Sequence, residues 1–475
     1  MTDKKHFHDI IVIGAGSGGL NIASFMNKAG FRVLLIDKSD KSIGGDCLNF
    51  GCVPSKALIH ISRLMHNQKK ARKFMHSDSL SPEIDIEKVT GYIKSKQEII
   101  RKHENAEYFR KQGIDVTLGV AKFTGKNTIS VKTADGTKKY SAKKIVIATG
   151  SRPRKLDIPG VNQVKYYTNE NIFEIDYMSK NMLIIGGGPI GIEIAQAFQR
   201  LGSHVCVVQS GNMFLPRETK DTAEVLLKAL KKEGVKFYFD SRPKEFLSAT
   251  EVILSHKKGS DTNVSFDTCF VAIGRVLNTE NLGLSRAGIK MYSGKIVVDK
   301  YLRTTNKNVY LCGDIAGSYQ FTHAAELHAG VLLNNFFSPF KKKVNYDNLS
   351  WVTYTDPEIA TFGLGEQELK NRKIKFEKLV LGFSEDDRSI VDDSNGKLVL
   401  YIKKDKILGG SMAAPNAGEL VQELILANSS RLSIKKLFNK VYAYPVASRV
   451  NKRIIANKFS EKLNETTKKL FKLLY

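Results

Sequence analysis

The stretch at residues 44–56 reads Gly-Gly-Asp-Cys-Leu-Asn-Phe-Gly-Cys-Val-Pro-Ser-Lys and contains Cys47 and Cys52. Pro54 suits the first turn of a helix, because the N–H that proline lacks has no partner there. The sequence therefore predicts one helix over roughly residues 47–65 with both sulfurs near its N-terminal end, where the helix dipole would stabilise a thiolate. Two thiols this close can form a disulfide and reopen it when two electrons arrive. The alternative, two unreactive structural cysteines, accounts less well for the flanking glycines and for Pro-Ser-Lys.

A dinucleotide-binding unit precedes the cysteines. A short apolar run over residues 8–13 is typical of a buried parallel strand, and a glycine turn follows it. Glycines occupy the first, third and sixth positions of this turn: Gly14, Gly16 and Gly19. Such a turn lets the backbone approach a pyrophosphate at a helix N-terminus. A second strand over residues 31–36 ends at Asp37, about where a carboxylate would bind ribose hydroxyls.

A second unit of the same kind begins with a strand over residues 181–185. Its turn again has glycines at the first, third and sixth positions: Gly186, Gly188 and Gly191. The following strand, over residues 204–208, ends at Gln209 instead of an acid. An acid would repel a 2′-phosphate and favour NAD, whereas an arginine would favour NADP, and residues 210–216 contain none. The choice between NADH and NADPH is therefore open.

Further motifs follow in the order of one protein family. They are Ala148-Thr149-Gly150, Val271-Ala272-Ile273-Gly274-Arg275 and Leu311-Cys312-Gly313-Asp314. With the cysteine stretch and both glycine turns, they resemble the class I pyridine nucleotide–disulfide oxidoreductases, which include dihydrolipoamide dehydrogenase, glutathione reductase and mercuric reductase. The resemblance runs over nearly the whole chain. It implies an α/β fold with two Rossmann-like dinucleotide-binding domains, one for FAD and one for NAD(P)H, and an α+β C-terminal dimerisation domain.

The resemblance also implies how the chain is divided. Residues 1–152 would form the first part of the FAD-binding domain, and residues 153–273 the NAD(P)-binding domain. Residues 274–348 would complete the FAD-binding domain, and residues 349–475 would form the dimerisation domain. In relatives this last domain makes a homodimer, in which each subunit contributes residues to the active site of the other.

The same resemblance implies roles for individual side chains. Cys52 would face the flavin as the charge-transfer thiolate, and Cys47 would be the interchange thiol that meets the substrate. Lys56 would pair with Glu193 beside the flavin, where a cation would stabilise the anionic reduced cofactor. The other predicted cofactor-binding residues outside the glycine turns are Asp37, Gly45, Ala148, Thr149, Gly150, Gln209, Gly274, Gly313 and Asp314.

The C-terminal region departs from the disulfide reductases of this family. Those enzymes carry His-x-His-Pro followed by a glutamate, and the second histidine exchanges a proton with the substrate thiol. Here Tyr444 and Arg449 stand at the histidine and glutamate positions. A phenol with a pKa near 10 is a poor base at neutral pH, and arginine cannot accept a proton. Because acid–base help is typically worth ~10²–10⁴-fold, we expect lipoamide and glutathione disulfide to be poor substrates.

Mercuric reductases, by their family pattern, also have a tyrosine at this position, and a soft metal ion needs thiolate ligands more than a proton shuttle. The sequence therefore favours a mercuric-reductase-like enzyme with Tyr444 at its active site, acting on a metal ion or a small molecule. Against this, the chain ends in Lys-Leu-Leu-Tyr without a vicinal cysteine pair and shows no N-terminal metal-capturing domain. The alternatives are a disulfide reductase in which another group replaces the histidine, and a redox sensor or anion-binding regulator on the same fold.

The composition is that of a globular protein and predicts a cytoplasmic one. The 475 residues are 42% hydrophobic and 26% charged, and the five cysteines form no disulfide framework. The N-terminus lacks a secretory signal, and no run approaches the ~18 apolar residues of a membrane-spanning helix. The net charge of +26 comes from scattered lysines without a nucleic-acid motif. We therefore expect neither nucleic-acid binding nor membrane association.

Three smaller features complete the sequence predictions. The tail over residues 458–475 places Phe459, Leu463, Leu470 and Leu474 on one helical face with lysines opposite. This pattern predicts a packed dimer-edge helix, with a membrane-surface helix as the alternative. We expect His323 and His328 to be packing or surface residues, and no resident metal site. Cys206, Cys269 and Cys312 lie in apolar, strand-like runs, and Cys312 is expected in the core.

Overall fold

The computed structural model describes residues 7–75, 83–317, 319–461 and 465–475. The first residues of the chain, for which the sequence predicts no secretory signal, and Leu463 of the predicted tail helix lie outside these ranges. Two dinucleotide-binding units of like topology are followed by a C-terminal unit built on an antiparallel sheet. The predicted α/β fold class is confirmed.

The first unit is a mainly parallel sheet flanked by helices. Its elements are β1 (Phe7–Ile13), α1 (Ser17–Lys28), β2 (Val33–Asp37), α2 (Gly45–Asn49), α3 (Cys52–Ala71), α4 (Ile86–Arg101), α5 (Ala106–Lys111), β3 (Asp115–Leu118), β4 (Val120–Phe123), β5 (Thr128–Thr133), β6 (Gly136–Ile147) and β7 (Ser151–Pro153). The strand order is β3-β2-β1-β6-β5-β4. Strands β1, β2 and β3 and the end of β6 run parallel, whereas β4 and β5 form an antiparallel meander.

The second unit repeats this arrangement. Its elements are β8 (Tyr166–Tyr167), β9 (Asn181–Ile185), α6 (Pro189–Leu201), β10 (His204–Val208), α7 (Lys220–Lys232), β11 (Lys236–Tyr238), β12 (Ser241–Ser248), β13 (Glu251–His256), β14 (Thr262–Ser265) and β15 (Thr268–Val271). The order β11-β10-β9-β15 matches β3-β2-β1-β6 strand for strand, and β12, β13 and β14 again form an antiparallel meander. Each unit therefore presents the carboxyl ends of its central parallel strands along one edge.

The chain then returns to the first sheet. The elements of this part are β16 (Arg275–Leu277), β17 (Met291–Tyr292), β18 (Lys295–Ile296), β19 (Val309–Leu311) and α8 (Thr322–Phe337). β16 pairs antiparallel with β7, and β19 adds to β6. The crossings between the units thus lie near the predicted boundaries after residues 152 and 273, which remain predictions.

The C-terminal unit contains a five-stranded sheet in the order β20-β21-β24-β23-β22. Its elements are β20 (Ser350–Thr353), β21 (Glu358–Gly363), α9 (Glu366–Asn371), β22 (Glu377–Gly382), α10 (Asp387–Val391), β23 (Lys397–Lys403), β24 (Lys406–Ala414), α11 (Ala417–Leu420), α12 (Gln422–Ser429), α13 (Ile434–Asn439), α14 (Arg449–Ser460) and α15 (Glu465–Leu474). Across the described ranges, no helix is long and apolar enough to cross a membrane.

The apolar strands of the first unit pack on both faces. Ile11 and Ile13 belong to one core cluster, and Ile10 and Val12 belong to another on the opposite face. This alternation follows from the two-residue period of a strand, and it explains why the parallel strands are continuous apolar runs. A rigid sheet of this kind fixes the loops at its carboxyl edge.

The prediction that one continuous helix contains both cysteines is wrong. The structure breaks it at Phe50 and Gly51, so that Cys47 lies inside the short α2 and Cys52 is the first residue of α3. Gly51 turns the chain at φ −122° and ψ −113°, outside the helical region. The dipole of a long helix therefore acts on Cys52 and not equally on both sulfurs.

Candidate active site

A cleft of about 2470 Å³ follows the carboxyl edges of both parallel sheets, the place where open α/β sheets bind ligands. Most of the predicted site residues line it: Gly14, Gly16, Asp37, Gly45, Cys47, Cys52, Lys56, Ala148, Thr149, Gly150, Gly188, Glu193, Gln209, Gly274, Gly313 and Asp314. Four do not line it: Gly19, Gly186, Gly191 and Tyr444. The first three of these lie within or directly behind the glycine turns.

The first glycine turn is closed by backbone packing. Gly14 has φ +107°, and a Cβ there would lie 2.3 Å from the carbonyl oxygen of Ala148. A Cβ on Gly19 would lie 2.0 Å from the carbonyl oxygen of Gly14. Both positions therefore require glycine, which explains why Gly19 contributes to the turn without facing the cleft.

Two further contacts shape the open side of this turn. A Cβ on Gly45 would lie 2.6 Å from the Cα of Gly16, so these two backbones touch directly. Asp37 Oδ2 accepts a hydrogen bond from the N–H of Ala15 at 2.6 Å. The carboxylate thus stands at the end of β2 beside the turn, in the position that the sequence predicts.

The second turn has nearly the same geometry. Gly186 has φ +116°, and a Cβ there would lie 2.2 Å from the carbonyl oxygen of Ala272. A Cβ on Gly191 would lie 2.0 Å from the carbonyl oxygen of Gly186. Gln209 Oε1 accepts a hydrogen bond from the N–H of Gly187 at 2.9 Å. Gln209 therefore supports the second turn as Asp37 supports the first, but without a negative charge.

The two cysteines carry free thiols that differ in acidity. Their mutual hydrogen bond, assisted by burial, raises the pKa of Cys47 above its ordinary value. The same hydrogen bond, a bond to Thr322 and the charge of Lys56 outweigh burial and lower the pKa of Cys52 to about 6. Thr322 Oγ1 lies 3.5 Å from Cys52 Sγ. The arrangement favours a Cys52 thiolate beside a Cys47 thiol at neutral pH.

Lys56 and Glu193 form the ion pair that the sequence predicts. Lys56 Nζ lies 3.0 Å from Glu193 Oε2, and the Glu193 side chain is only 9% exposed. Glu193 Oε1 accepts a hydrogen bond from the N–H of Tyr354 at 2.9 Å. The Tyr354 ring lies 4.2 Å from Lys56 Nζ. Burial opposes the charge of Lys56, but the charge and hydrogen bond of Glu193 prevail and raise the pKa of the ammonium group.

Asp314 sits in a second polar group of the cleft. Ser151 donates a hydrogen bond to Asp314 Oδ2 at 2.5 Å, and Arg275 Nε donates to Ser151 Oγ at 2.6 Å. Arg275 Nη2 also lies 3.2 Å from Asp46 Oδ1. Burial raises the pKa of Asp314, and the Ser151 hydrogen bond and the Arg275 charge oppose this shift. The group holds the carboxylate in a fixed orientation.

Sequence reasoning missed three residues of this site: Thr322, Tyr354 and Ser151. They reach their partners across 270, 161 and 163 positions of the chain respectively. No local pattern predicts such contacts. The one signal that the sequence offered was positional, because Ser151 directly follows the Ala148-Thr149-Gly150 motif.

Tyr444 lies away from the cysteines within the chain. It is 67% exposed, and its hydroxyl donates a hydrogen bond to Asp387 Oδ2 at 3.1 Å. The guanidinium of Arg449 lies 5.1 Å from the centre of its ring. The hydrogen bond to Asp387 raises the pKa of Tyr444, so even less of the basic phenolate is present at neutral pH. The active-site role of Tyr444 remains a prediction that requires a second subunit.

The two histidines of α8 differ. His328 is buried, and it accepts a hydrogen bond from the N–H of Gly313 at 3.1 Å while its Nε2 lies 2.7 Å from the Tyr346 hydroxyl. This is a packing role. His323 instead lines the cleft, next to the residue that contacts Cys52. Among the residues that the structure describes, no group of three or more His, Cys, Asp or Glu side chains is arranged to hold a metal ion.

The residues of the first unit fit FAD. A dinucleotide needs a backbone that no side chain covers and carboxylates that face its sugar hydroxyls. The cleft supplies the Gly16–Gly45 contact and the carboxylates of Asp37 and Asp314, and a Cβ on Gly150 would meet nothing within 4 Å. In the second unit, Gly188 is similarly open beside a neutral Gln209, which fits a nicotinamide dinucleotide.

Comparisons with known proteins agree with this geometry. The family described as pyridine nucleotide-disulphide oxidoreductase matches residues 8–329, and its dimerisation domain matches residues 349–453. A dihydrolipoyl dehydrogenase from Buchnera aphidicola is 31% identical over 465 residues, covering 94% of this chain and 95% of the relative. A mercuric reductase from Bacillus cereus is 29% identical over 454 residues, covering 94% of this chain and 70% of the relative.

A solved structure supports the fold alone. The HOCl-induced flavoprotein disulfide reductase RclA from Escherichia coli superposes with a TM-score of 0.82 at 24% identity, covering 94% of this chain and 99% of that one. Together with the family match over most of the chain, these findings establish the class of enzyme. The chain belongs to the pyridine nucleotide–disulphide oxidoreductase family and is an FAD-dependent oxidoreductase that uses NAD(P)H.

Proposed function

We propose that this enzyme passes electrons from NAD(P)H to a Cys47–Cys52 disulfide and on to a thiophilic metal ion, in the manner of a mercuric reductase. The observation that carries the proposal is the environment of Tyr444. Its hydroxyl donates to Asp387, which raises the pKa of the phenol. A residue held in this way cannot replace the histidine base of a disulfide reductase, whereas a metal ion bound by two sulfurs needs no such base.

The side chains of the cleft support each part of this reaction. FAD, when bound, accepts a hydride from NAD(P)H and supplies two electrons. With one proton, two electrons convert the disulfide into a Cys47 thiol and a Cys52 thiolate, which are the forms that the pKa shifts favour. Lys56, paired with Glu193, provides the positive charge near Cys52. For mercury the overall reaction is NAD(P)H + Hg²⁺ → NAD(P)⁺ + H⁺ + Hg⁰, in which atoms and charges balance.

The dimerisation domain supports a homodimer as the working form. In that assembly Tyr444 of one subunit would approach the cysteine pair of the other, as the resemblance implies. The membership of the family favours an enzyme over a redox regulator on the same fold.

A second candidate function is a small-molecule disulfide reductase, and one observation favours it. His323 lines the cleft next to Thr322, and burial lowers its pKa, so its imidazole is neutral at neutral pH. A neutral histidine can accept a proton from a substrate thiol. If this group acts, His323→Gln would reduce turnover of the disulfide substrate by ~10²-fold or more.

Anaerobic titration followed by acceptor addition separates the two functions. The purified yellow protein is reduced with NADPH and, separately, with NADH, and reoxidation is then followed after Hg²⁺, lipoamide or glutathione disulfide is added. Rapid reoxidation by Hg²⁺ but not by either disulfide supports the metal reductase, and its loss in Cys47→Ser assigns the reaction to the cysteine pair. Rapid reoxidation by a disulfide would contradict the proposal and favour the second candidate.

A further inference from the structure

The C-terminal helix α15 contributes nothing to the core. None of its residues is buried within the chain, so the packed helix predicted from the sequence is not formed by this chain alone. Four large apolar side chains are exposed on it, by 52, 54, 83 and 75%: Leu470, Phe471, Leu473 and Leu474. Because apolar surface in water is unfavourable, a contiguous patch of this kind indicates an interaction site.

The helix separates apolar from basic side chains. At about 100° per residue, the four apolar side chains spread over one side and the lysines occupy the other. These lysines are Lys468, Lys469 and Lys472. An apolar face of leucine and phenylalanine opposite a lysine face is typical of helices that lie in the plane of a membrane surface.

The position and charge of the helix favour a lipid surface over a second copy of the chain. The match to the family dimerisation domain ends at residue 453, whereas α15 begins at Glu465. The helix itself carries three lysines and one glutamate, so the same helix of a second copy brings charge of the same sign. A surface of anionic phospholipid brings the opposite charge and also an apolar layer.

The exposed apolar face of α15 reverses the expectation, drawn from the composition, of no membrane association. We propose that α15 binds the surface of anionic phospholipid membranes, with its leucines and Phe471 at the boundary of the acyl chains and its lysines among the headgroups. The helix has only ten residues, so each copy binds weakly and reversibly. Two copies in a homodimer would reinforce each other. The proposal concerns where the enzyme acts and does not depend on which acceptor it reduces.

Co-sedimentation of the full-length, flavin-containing protein with vesicles tests the proposal. One set of vesicles is pure phosphatidylcholine, and the other contains equal parts phosphatidylcholine and phosphatidylglycerol. We expect binding to the anionic vesicles to be at least about tenfold tighter than to the neutral ones. The double variant Leu470→Glu with Leu474→Glu should lose about tenfold or more of this affinity, and Lys469→Gln with Lys472→Gln should lose several-fold.

A control variant with matched charge makes the test decisive. Tyr292→Glu with Phe340→Glu introduces the same two charges at aromatic residues that are 79% and 85% exposed, and it should leave vesicle binding unchanged. The proposal is overturned if the unaltered protein does not sediment with anionic vesicles. It is equally overturned if the Leu470→Glu, Leu474→Glu variant binds as the unaltered protein does, because the basic surface alone would then suffice.

The oligomeric state in the absence of lipid distinguishes membrane binding from an interface between copies of the chain. Light scattering should give the same mass for the unaltered protein and for the leucine double variant. A smaller mass for the variant would assign the apolar face of α15 to an interface between copies and would overturn the membrane proposal. NAD(P)H oxidation without vesicles serves as the folding control, since no residue of α15 lines the cleft.

Discussion

The two dinucleotide-binding turns have nearly identical backbones and different side chains around them. Gly14 and Gly186 have φ values of +107° and +116°, and a Cβ on either would lie within 2.3 Å of a carbonyl oxygen. In both turns a side chain at the end of the next strand accepts a hydrogen bond from an N–H 22 positions earlier. The fold thus fixes the same backbone turn in both units, and the side chains around the two turns differ.

The helices that follow the turns show this division clearly. Seven positions after Gly14, α1 carries Asn21, which is exposed. Seven positions after Gly186, α6 carries Glu193, which is buried and paired with Lys56. The cysteine pair, in turn, lies between β2 and β3, whereas the corresponding segment between β10 and β11 contains α7 and no cysteine. The first unit therefore provides the two cysteines, and the second provides the Glu193 carboxylate that pairs with Lys56 beside them.

The largest expected effect comes from the same steric change in both turns. Gly14→Ala and Gly186→Ala each place a Cβ against a carbonyl oxygen and force alanine into a left-handed conformation, which by itself costs about 1–2 kcal/mol. We expect Gly14→Ala to lower flavin content at least about tenfold. Gly186→Ala should keep the flavin and weaken reduction by NAD(P)H to a similar extent. Flavin absorbance and the dependence of the reduction rate on nucleotide concentration measure the two effects.

Gly30→Ala is the matched control, because Gly30 also has a positive φ, of +83°, but a Cβ there would meet nothing within 4 Å. This variant measures the cost of the left-handed backbone conformation alone, without a clash between Cβ and a carbonyl oxygen. Loss of flavin in both turn variants alike would show that the two turns do not serve separate nucleotides.

A second substitution, at Glu193, tests the difference between the two helices. Glu193→Gln preserves the acceptor for the N–H of Tyr354 but removes the charge that Lys56 requires. Separating a buried ion pair can cost 3–5 kcal/mol, and because the Lys56 side chain is 36% exposed we expect about 1–2 kcal/mol here. Flavin reduction by NAD(P)H, followed by stopped flow, should slow about tenfold. Asn21→Ala, at the equivalent position of α1, should stay within about twofold of the unaltered enzyme, and an equal loss in both variants would refute the division of roles.

A third substitution tests the difference between the side chains at the two strand ends. Gln209→Glu keeps an oxygen for the N–H of Gly187 and adds a negative charge where a 2′-phosphate would lie. We expect the ratio of kcat/KM for NADPH to that for NADH to fall about tenfold, which corresponds to about 1.4 kcal/mol. Asp37→Asn makes the opposite change in the first turn and should leave this ratio unaltered. An unchanged ratio in Gln209→Glu would mean that another group selects the nucleotide.

The sequence predicted the features that local spacing determines. The glycine positions specify both turns, because any other residue would place its Cβ too close to a carbonyl oxygen. The Lys56–Glu193 pair was reached through the family resemblance, since the two residues are 137 positions apart. The break at Gly51 was missed because Pro54 indicates where a helix begins but not that a shorter helix precedes it. The contacts of Thr322 and Tyr354 depend on how distant elements dock, which no local pattern encodes.

The smallest expected effect concerns the one hydrogen bond that reaches the cysteine pair from α8. Thr322 helps to lower the pKa of Cys52 to about 6, so the thiolate is present above this pH and becomes protonated as the pH falls through it. Thr322→Val should raise the pKa by about half to one unit, since a hydrogen bond to a charged group contributes about 1 kcal/mol or somewhat more.

The measurement is the pH dependence of Cys52 alkylation by iodoacetamide, followed at Cys52 by peptide mass spectrometry and made in a Cys47→Ser background so that only one sulfur of the pair is present. The midpoint in the Cys47→Ser protein should lie near the value set by the remaining hydrogen bonds and by Lys56, and Thr322→Val should shift it upward because the hydroxyl is lost. Thr322→Ser keeps the hydroxyl and should restore the original midpoint. If serine and valine gave the same midpoint, packing at this position and not the hydrogen bond would control the contribution of Thr322 to the acidity of Cys52. The thiolate would then depend on the hydrogen bond from position 47, on Lys56 and on the start of α3.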